Sequence, residues 1–302
     1  MSSRPVTSIA GKPVGSVGYG LMGFTAFYNT PFDDAVKVMK TALENGANFL
    51  NAGTFYASPE RNSLQLLKQY FDTYPQDAAK VVLSIKGAYN GATFTPDGSE
   101  AGIRASVEES LRVLDGVKSI DIFECARVDP NVPIETSVKT LVVLIEQGKI
   151  GSYGLSEVNA STVRKAHSVH PPSAVEIELS CCSRAMRFKK ALKRYEDLPK
   201  DDYRHHYPRF QPGNFEKNVK LAEKVEGIAR KRGLTAPQLA IAWVKQQGAL
   251  PIPGASKSER VMENTKDVKL TGEEVGALQE YLDRIPVEGD RYGSIFQSGL
   301  SL

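Results

Sequence analysis

An alternation of short apolar runs with amphipathic helical patterns extends through most of the chain and constrains its fold more than any other feature. One helical stripe, Ala35, Val38, Met39 and Ala42, has the spacing of a single helix face. Strands that are apolar throughout and alternate with helices are typical of a parallel sheet covered by helices. So many consecutive units favour one closed TIM-type (β/α) barrel. The predicted strands are Val14–Gly18, Phe49–Ala52, Lys80–Lys86, Ile120–Cys125, Ile150–Leu155, Ala174–Leu179 and Leu250–Pro253.

The alternation fails after Ser183. Residues 184–210 have no strand pattern and form an irregular basic linker, with nine Arg or Lys and four Asp or Glu between Arg184 and Arg209. Seven strands are one fewer than a closed eight-stranded barrel contains. We therefore predict that residues 1–302 form a single barrel domain lacking one βα unit, its sixth helix and seventh strand, or roughly 25 residues. A splicing or gene-model variant of a complete chain is one interpretation.

Composition excludes several classes of protein. The sequence contains no apolar run of the roughly 18 residues that span a membrane, and its first residues lack the apolar core of a secretory signal. Three cysteines are too few and too irregularly spaced for a disulfide framework, so we predict a cytoplasmic protein. The basic linker is accompanied by no nucleic-acid recognition motif, and we predict no nucleic-acid partner and no metal. The oligomeric state stays open.

Two residues at predicted strand ends are suited to proton chemistry. In a (β/α) barrel the reactive groups lie at the carboxyl ends of the strands, where Tyr56 and Lys86 are expected. A phenol is a weak acid at neutral pH unless a cation lowers its pKa, and a neighbouring lysine provides that cation. The pair could protonate an alkoxide that develops at a carbonyl. Position alone also permits a half-buried loop tyrosine and a solvated lysine.

Six ordered motifs favour the chemical interpretation. The motifs are Gly18–Gly23 (GYGLMG), Asn51–Tyr56 (NAGTFY), Ile85–Gly87, Arg127–Pro130 (RVDP), Gly154–Glu157 (GLSE) and Pro251–Asn264 (PIPGASKSERVMEN). In their residues and spacing they resemble the aldo-keto reductase superfamily, and within it the fungal pyridoxal reductases. The resemblance extends from about residue 12 to the C-terminus, with one gap.

The resemblance implies NADPH-dependent reduction of an aldehyde or ketone to an alcohol, with pyridoxal to pyridoxine as the best estimate. Tyr56 would be the general acid and Lys86 the cation that tunes it, with Asn51 as the third catalytic position. The substrate pocket would contain Phe24, Tyr89, Arg127 and Tyr292. The implied cofactor residues are Gly20, Leu21 and Met22 under the nicotinamide, Ser156 and Glu176 on its carboxamide, Lys257 and Arg260 on the 2′-phosphate, and Glu263 and Asn264 on the adenine, together with Gly254.

Four positions depart from the superfamily pattern. Asn51 and Ala126 replace the usual aspartate and histidine, Glu176 replaces a glutamine, and Ala57 replaces a glycine. Because an amide supplies no negative charge, we expect Lys86 to lose its proton more easily than with an aspartate partner. These departures and the gap leave a second possibility open. The chain could be an impaired or inactive barrel that binds nucleotide weakly or contacts another protein.

Overall fold

The computed structural model describes residues 5–179, 194–200, 202–284 and 287–290. They divide into two compact units, considered separately below. The first contains Val6–Ile177 and Leu250–Thr265, and the second contains the described residues of Glu178–Ala249 and Lys266–Ser298. The assignment of all 302 residues to a single domain stays a prediction. Cys181, Cys182 and residues 184–193 of the basic linker lie outside the described residues, as does Tyr292.

Strands in the described residues all belong to the first unit, and most form one parallel sheet. The strands are β1 (Ser8–Ile9), β2 (Lys12–Pro13), β3 (Tyr19–Gly20), β4 (Phe49–Gly53), β5 (Val82–Gly87), β6 (Tyr89–Asn90), β7 (Thr95–Pro96), β8 (Ile122–Cys125), β9 (Ser152–Ser156) and β10 (Ala174–Glu176). The order of the parallel sheet is β10-β9-β8-β5-β4-β3, so each strand lies beside the next one in the barrel order. The two remaining strand pairs, β1-β2 and β6-β7, are short antiparallel hairpins.

Helices follow the strands of the main sheet, as the period of the apolar residues predicts. The α-helices in the described residues are α1 (Phe32–Glu44), α2 (Ser63–Thr73), α3 (Glu100–Leu114), α4 (Ile134–Glu146), α5 (Ala160–Val169), α6 (Asn214–Lys231), α7 (Ala236–Gln246), α8 (Ser258–Thr265) and α9 (Gly272–Arg284). Buried residues of the sheet and of the helices from α1 to α5 form one hydrophobic core, which includes the predicted stripe Ala35, Val38, Met39 and Ala42.

The first strand of the sheet lies further along the chain than predicted. The structure has β3 at Tyr19–Gly20 rather than a strand at Val14–Gly18. The backbone N–H of Gly15 donates to the Asn48 side chain at 2.8 Å, so this segment satisfies its polar groups outside a strand ladder.

The last predicted strand, Leu250–Pro253, lies beside β3. The N–H of Gly18 donates to the Pro251 carbonyl at 2.8 Å, and the N–H of Gly20 donates to the Pro253 carbonyl at 3.4 Å. The first unit therefore contains seven neighbouring extended segments, six of them in the sheet. This arrangement has Leu250–Pro253 at one edge and β10 at the other. Apolar side chains at the second edge are exposed, including Val175 at 40% and Ile177 at 51%.

The second unit is helical in its described residues. A hydrophobic cluster packs residues of α6, α7 and α9 together, with Val225 and Trp243 among its buried members. Thr235 is the N-cap of α7 and forms a capping box: its hydroxyl accepts from the Gln238 N–H, while the Gln238 side chain accepts from the Thr235 N–H. The described part of the basic linker contains three 3₁₀ turns, at Tyr195–Asp197, Tyr203–His206 and Pro208–Phe210. None of the helices described in either unit is long and apolar enough to span a membrane.

Candidate active site

One face of the main sheet changes from apolar to polar along the strands. Phe49, Val82 and Ile122, near the strand beginnings, form a hydrophobic cluster. Because side chains alternate between faces, the residues two and four positions further along lie on this same face. They include Asn51 on β4, and Ser84 and Lys86 on β5, which are buried. We call this polar set at the carboxyl ends the inner polar cluster; its members are Asn51, Ser84, Lys86, Glu124, Ser156 and Glu176.

Register aligns two charged residues across neighbouring strands. Lys86 on β5 pairs with Glu124 on β8, and Glu124 pairs with Gly154 on β9. A Cβ at Gly154 would lie 2.9 Å from Cγ of Glu124. The glycine therefore provides the space that the Glu124 side chain occupies, and a larger residue there would displace it.

Glu176 connects three strands through its two carboxylate oxygens. Its Oε1 atom accepts from Nζ of Lys86 in an ion pair. Its Oε2 atom accepts from Nδ2 of Asn51 at 2.7 Å. Burial acts to lower the pKa of Lys86, but the charge of Glu176, with Tyr56 and Glu124, raises it above the ordinary value. The expectation that Lys86 loses its proton easily is therefore wrong, because a carboxylate from β10 supplies the charge that Asn51 lacks.

Glu124 is a member of the cluster that the sequence reasoning missed. Its Oε1 atom accepts from the Ser84 hydroxyl, and the residue is 1% exposed. Burial, followed by the charge of Glu176, raises the pKa of Glu124 to about 8, although Lys86 and Ser84 act in the opposite direction. Glu124 is therefore mostly protonated and neutral at pH 7. The available signal was an acidic residue inside an otherwise apolar strand.

Tyr56 follows β4 and lies over the cluster. A Cβ at Gly53 would be 2.9 Å from the ring atom Cζ of Tyr56, so the absence of a side chain at Gly53 lets the ring pack against the strand. Nζ of Lys86 lies 5.7 Å from the centroid of this ring. The pKa of Tyr56 is raised above its ordinary value, chiefly by burial; the charge of Lys86 and a hydrogen bond from it lower the pKa, whereas the charges of Glu176 and Glu124 raise it. The structure thus brings together the predicted phenol and ammonium.

The predicted substrate residues are not all grouped together. Tyr89 is partly buried, and its ring centroid lies 4.7 Å from that of Phe55, which packs edge-on against Tyr56. Arg127 donates to the carbonyl of Ala126 at 2.6 Å. Phe24 lies instead in the hydrophobic core, with 1% exposure. Tyr89 is thus connected to Tyr56 through the ring of Phe55.

Backbone from two loops comes close together beside Asn51. The N–H of Leu21 donates to the Asn51 carbonyl at 2.9 Å. A Cβ on Gly20 would lie 2.9 Å from the Ile252 carbonyl oxygen, and one on Gly254 would lie 3.0 Å from the Gly20 oxygen. Both predicted glycines are thus required by this close approach. The side chain of Leu21 is fully buried, whereas Met22 is 37% exposed.

The residues predicted to bind the 2′-phosphate and the adenine of the cofactor lie on helix α8 or directly before it. Lys257 precedes the helix, and Arg260 lies in its first turn; both are exposed. Nη1 of Arg260 donates to the Glu263 carboxylate at 2.5 Å, and Asn264 is partly buried in the last turn. Exposed cations at the start of a helix suit a phosphate, since the free backbone N–H groups there also favour an anion. These residues fit a phosphorylated nucleotide.

Ser156 completes the predicted cofactor set. It ends β9, pairs in register with Glu176 and is 2% exposed. Both residues therefore lie at the same edge of the inner polar cluster. Their predicted contact with a carboxamide stays a prediction.

Parallel strands followed by helices, with polar residues at their carboxyl ends, define a (β/α) barrel-like class of structure. The sequence profile described as the Aldo/keto reductase family matches residues 16–195 and 186–283. A protein from Schizosaccharomyces pombe named as probable pyridoxal reductase 2 is 34% identical over 332 residues, covering 97% of this chain and 99% of that protein. A probable aldo-keto reductase 1 from Glycine max is 33% identical over 96% of this chain and 90% of its own length. The chain belongs to the aldo/keto reductase family.

Solved structures show the same fold. A glycerol dehydrogenase from Gluconobacter oxydans has a TM-score of 0.78 at 23% identity, and the match covers 97% of this chain and 99% of that one. An aldo/keto reductase from Klebsiella pneumoniae, in complex with NADP and acetate, has a TM-score of 0.69 at 21% identity, with 96% and 99% covered. The predicted fold class is confirmed.

Two findings agree with the predicted interruption after Ser183. The family profile matches in two pieces that overlap at residues 186–195. The alignment with the Schizosaccharomyces pombe protein extends over 332 residues, more than the 302 of this chain. That relative therefore has residues for which this chain has no counterpart.

Proposed function

We propose that the protein is an NADPH-dependent reductase of small aldehydes or ketones, with Tyr56 as the general acid. The observation that carries the proposal is the placement of the buried Tyr56 phenol beside the Lys86 ammonium at the carboxyl ends of the sheet. NADPH, when bound, supplies the hydride for the reduction. Tyr56 then donates its phenolic proton to the oxygen of the former carbonyl, which becomes a hydroxyl.

Lys86 determines whether this proton transfer is favourable. Burial, together with the charges of Glu176 and Glu124, raises the pKa of Tyr56 and by itself would leave the phenol a poor acid. The ammonium acts in the opposite direction and stabilises the negative charge that grows on the phenol oxygen during transfer. Burial among protein groups strengthens this effect because little water screens it.

The residues proposed to hold NADPH come from the same unit. Lys257 and Arg260 would bind the 2′-phosphate, so we expect a preference for NADPH over NADH, because a guanidinium donates to phosphate in pairs. Gly20–Met22 would pass under the nicotinamide, and Gly254, whose backbone lies close to that of Gly20, is a further proposed cofactor residue. The other proposed contacts are Ser156 and Glu176 to the carboxamide, and Glu263 and Asn264 to the adenine.

Pyridoxal is the proposed substrate, with pyridoxine as the product and a cytoplasmic role in vitamin B6 metabolism. The 34% identity to a protein named as probable pyridoxal reductase supports this choice over other small aldehydes. Tyr89, Arg127 and Tyr292 are the proposed specificity residues, with Phe24 behind them in the core. A panel of aldehydes compared by kcat/KM, with pyridoxal included, tests the substrate.

A catalytic assay of the purified protein tests the reaction itself. NADPH should be consumed only when an aldehyde is present, and Tyr56→Phe should lower the rate without weakening NADPH binding. A Phe variant as active as the wild type would refute Tyr56 as the acid.

The interrupted family match favours one second candidate, a catalytically impaired barrel that binds nucleotide weakly or contacts another protein. NADPH fluorescence separates the two candidates. Micromolar binding with aldehyde-dependent turnover supports the reductase. Binding without turnover, or no binding at millimolar concentration, supports the impaired barrel.

A further inference from the structure

The inner polar cluster contains a carboxylate placed to control the charge of Lys86. We propose that Glu176 is a positioning residue that keeps Lys86 protonated beside Tyr56, and that Asn51 fixes the Glu176 carboxylate for this task. The inference rests on the proposed function of Tyr56 and Lys86. It gives Glu176 a role in proton transfer in addition to its proposed contact with the cofactor.

The contact between Glu176 and Lys86 crosses the inner face of the sheet. Glu176 is on β10, whereas Lys86 is on β5, and β8 and β9 lie between these strands in the sheet. Their side chains nevertheless form an ion pair. Glu176 therefore reaches the ammonium across the curved face rather than from a neighbouring strand.

Asn51 binds the second oxygen of the Glu176 carboxylate. Its Nδ2 atom donates to Oε2 of Glu176 at 2.7 Å, while Oε1 of Glu176 accepts from Lys86. Asn51 is 3% exposed and Lys86 is 6% exposed, and the Glu176 side chain between them is 23% exposed. With one oxygen assigned to each partner, the carboxylate is held in one orientation.

Glu124 is the only other described carboxylate that acts on Lys86, and it is less suited to this role. Burial raises its pKa to about 8, so at neutral pH it mostly carries a proton and no charge. Its Oε1 atom is already bonded to Ser84. Glu176, by contrast, forms an ion pair with Lys86.

Loss of the Glu176 charge has a defined chemical consequence. A buried ammonium without an anionic partner releases its proton more readily, because burial disfavours the charged form. A neutral Lys86 cannot stabilise negative charge on the Tyr56 oxygen. The rate of proton transfer should fall, whereas Lys257 before α8 and Arg260 on α8 would still bind the nucleotide phosphate.

Kinetics of three variants test the proposal. Glu176→Gln should lower kcat on the order of tenfold while the NADPH dissociation constant changes little. The double variant Asn51→Asp/Glu176→Gln returns a carboxylate to the neighbouring position and should recover most of the lost rate. Glu146→Gln, the same chemical change at an exposed position at the end of α4, is the matched control and should behave as the wild type.

Three kinetic results would overturn the proposal. An unchanged kcat in Glu176→Gln would show that Lys86 does not need this carboxylate. A raised NADPH dissociation constant with unchanged kcat would assign Glu176 to the cofactor alone. A double variant no faster than Glu176→Gln would show that the charge is not what was lost.

NMR titration of Lys86 gives a test that needs no turnover. The ¹³Cε signal of Lys86, assigned by its absence in Lys86→Arg, should titrate above the ordinary lysine range in the wild type. It should titrate at lower pH in Glu176→Gln. A wild-type signal in the ordinary range or below it would overturn the proposal, even if Glu176→Gln does not fold.

The two tests separate failure of the inference from failure of the proposed function. If the wild type reduces no carbonyl but Lys86 titrates as expected, the proposed reductase activity fails and the electrostatic role of Glu176 stands. If the wild type is active and Glu176→Gln changes neither the rate nor the titration, the inference fails and the proposed function stands.

Discussion

Replacing Glu124 with glutamine should raise the free energy of unfolding, and the gain should grow with pH. The amide resembles the protonated carboxyl group and can still accept from Ser84, but it has no proton to lose. Burial raises the pKa of Glu124 from an ordinary 4.5 to about 8 in the folded protein. The folded state therefore holds a proton that the unfolded chain releases between these two pH values.

The size of the effect follows from that difference in pKa. At 1.36 kcal/mol for each pKa unit, the penalty on the wild type approaches about 5 kcal/mol above pH 8 and is about 3 kcal/mol at pH 7. Solvent screening does not reduce this penalty, because Glu124 is only 1% exposed. The variant gains less than this penalty if its new amide N–H group lacks an acceptor, because an unsatisfied buried donor costs about 1–3 kcal/mol. We expect a net gain of up to about 2 kcal/mol at pH 7.

Urea denaturation of the wild type and Glu124→Gln, measured across the acid and neutral range, tests this prediction. Below a pH of about 4.5 the carboxyl group is protonated in both states, so any difference there reflects only packing and hydrogen bonding. The difference should then increase in favour of the variant as pH rises to about 8, and remain constant above it. Glu146→Gln controls for the removal of an exposed carboxylate. A difference that does not depend on pH, or one that turns against the variant as pH rises, would refute the reasoning.

Three further predictions concern other parts of the first unit. Ala57 has a φ of 86°, which favours glycine, so Ala57→Gly should raise the unfolding free energy by about 1 kcal/mol in denaturation; a loss would contradict this. Asp121 bonds to Lys118 at 2.7 Å with both side chains 4% exposed. Asp121→Asn should therefore lower the free energy of unfolding by about 3–5 kcal/mol. Because the pKa of Asp121 is lowered in the folded protein, the wild type should lose this advantage as the pH falls through that pKa. Equal stability of the wild type in acid and at neutral pH would contradict the pairing. Arg260→Ala should weaken NADPH binding on the order of tenfold and leave NADH binding unchanged, and equal weakening of both nucleotides would argue against a 2′-phosphate contact.

The repeating pattern of the sequence was sufficient to predict most of the helices and strands. Apolar residues at helical spacing located α1 with its buried stripe. Boundaries were less predictable, because they depend on backbone partners that the pattern does not reveal. For example, β3 begins five residues after the predicted start of its strand.

The candidate site was predictable where it depended on position along a strand. Tyr56 and Lys86 follow from the rule that reactive groups occupy carboxyl ends, and the structure places them together. The partner of Lys86 was not predictable, because Glu176 is 90 positions away and reaches it across the sheet. Glu124 was missed for a similar reason, since its raised pKa depends on tertiary burial rather than on neighbours in the sequence.

The rate of NADPH oxidation in a single turnover with pyridoxal, compared between the wild type and Tyr56→Phe, tests the central claim most directly. The wild type should oxidise the nucleotide, and the variant should bind it equally well but react on the order of a hundredfold more slowly, because only the proton donor has been removed. Equal rates in the two proteins, or no oxidation by a wild type saturated with both NADPH and aldehyde, would contradict the account.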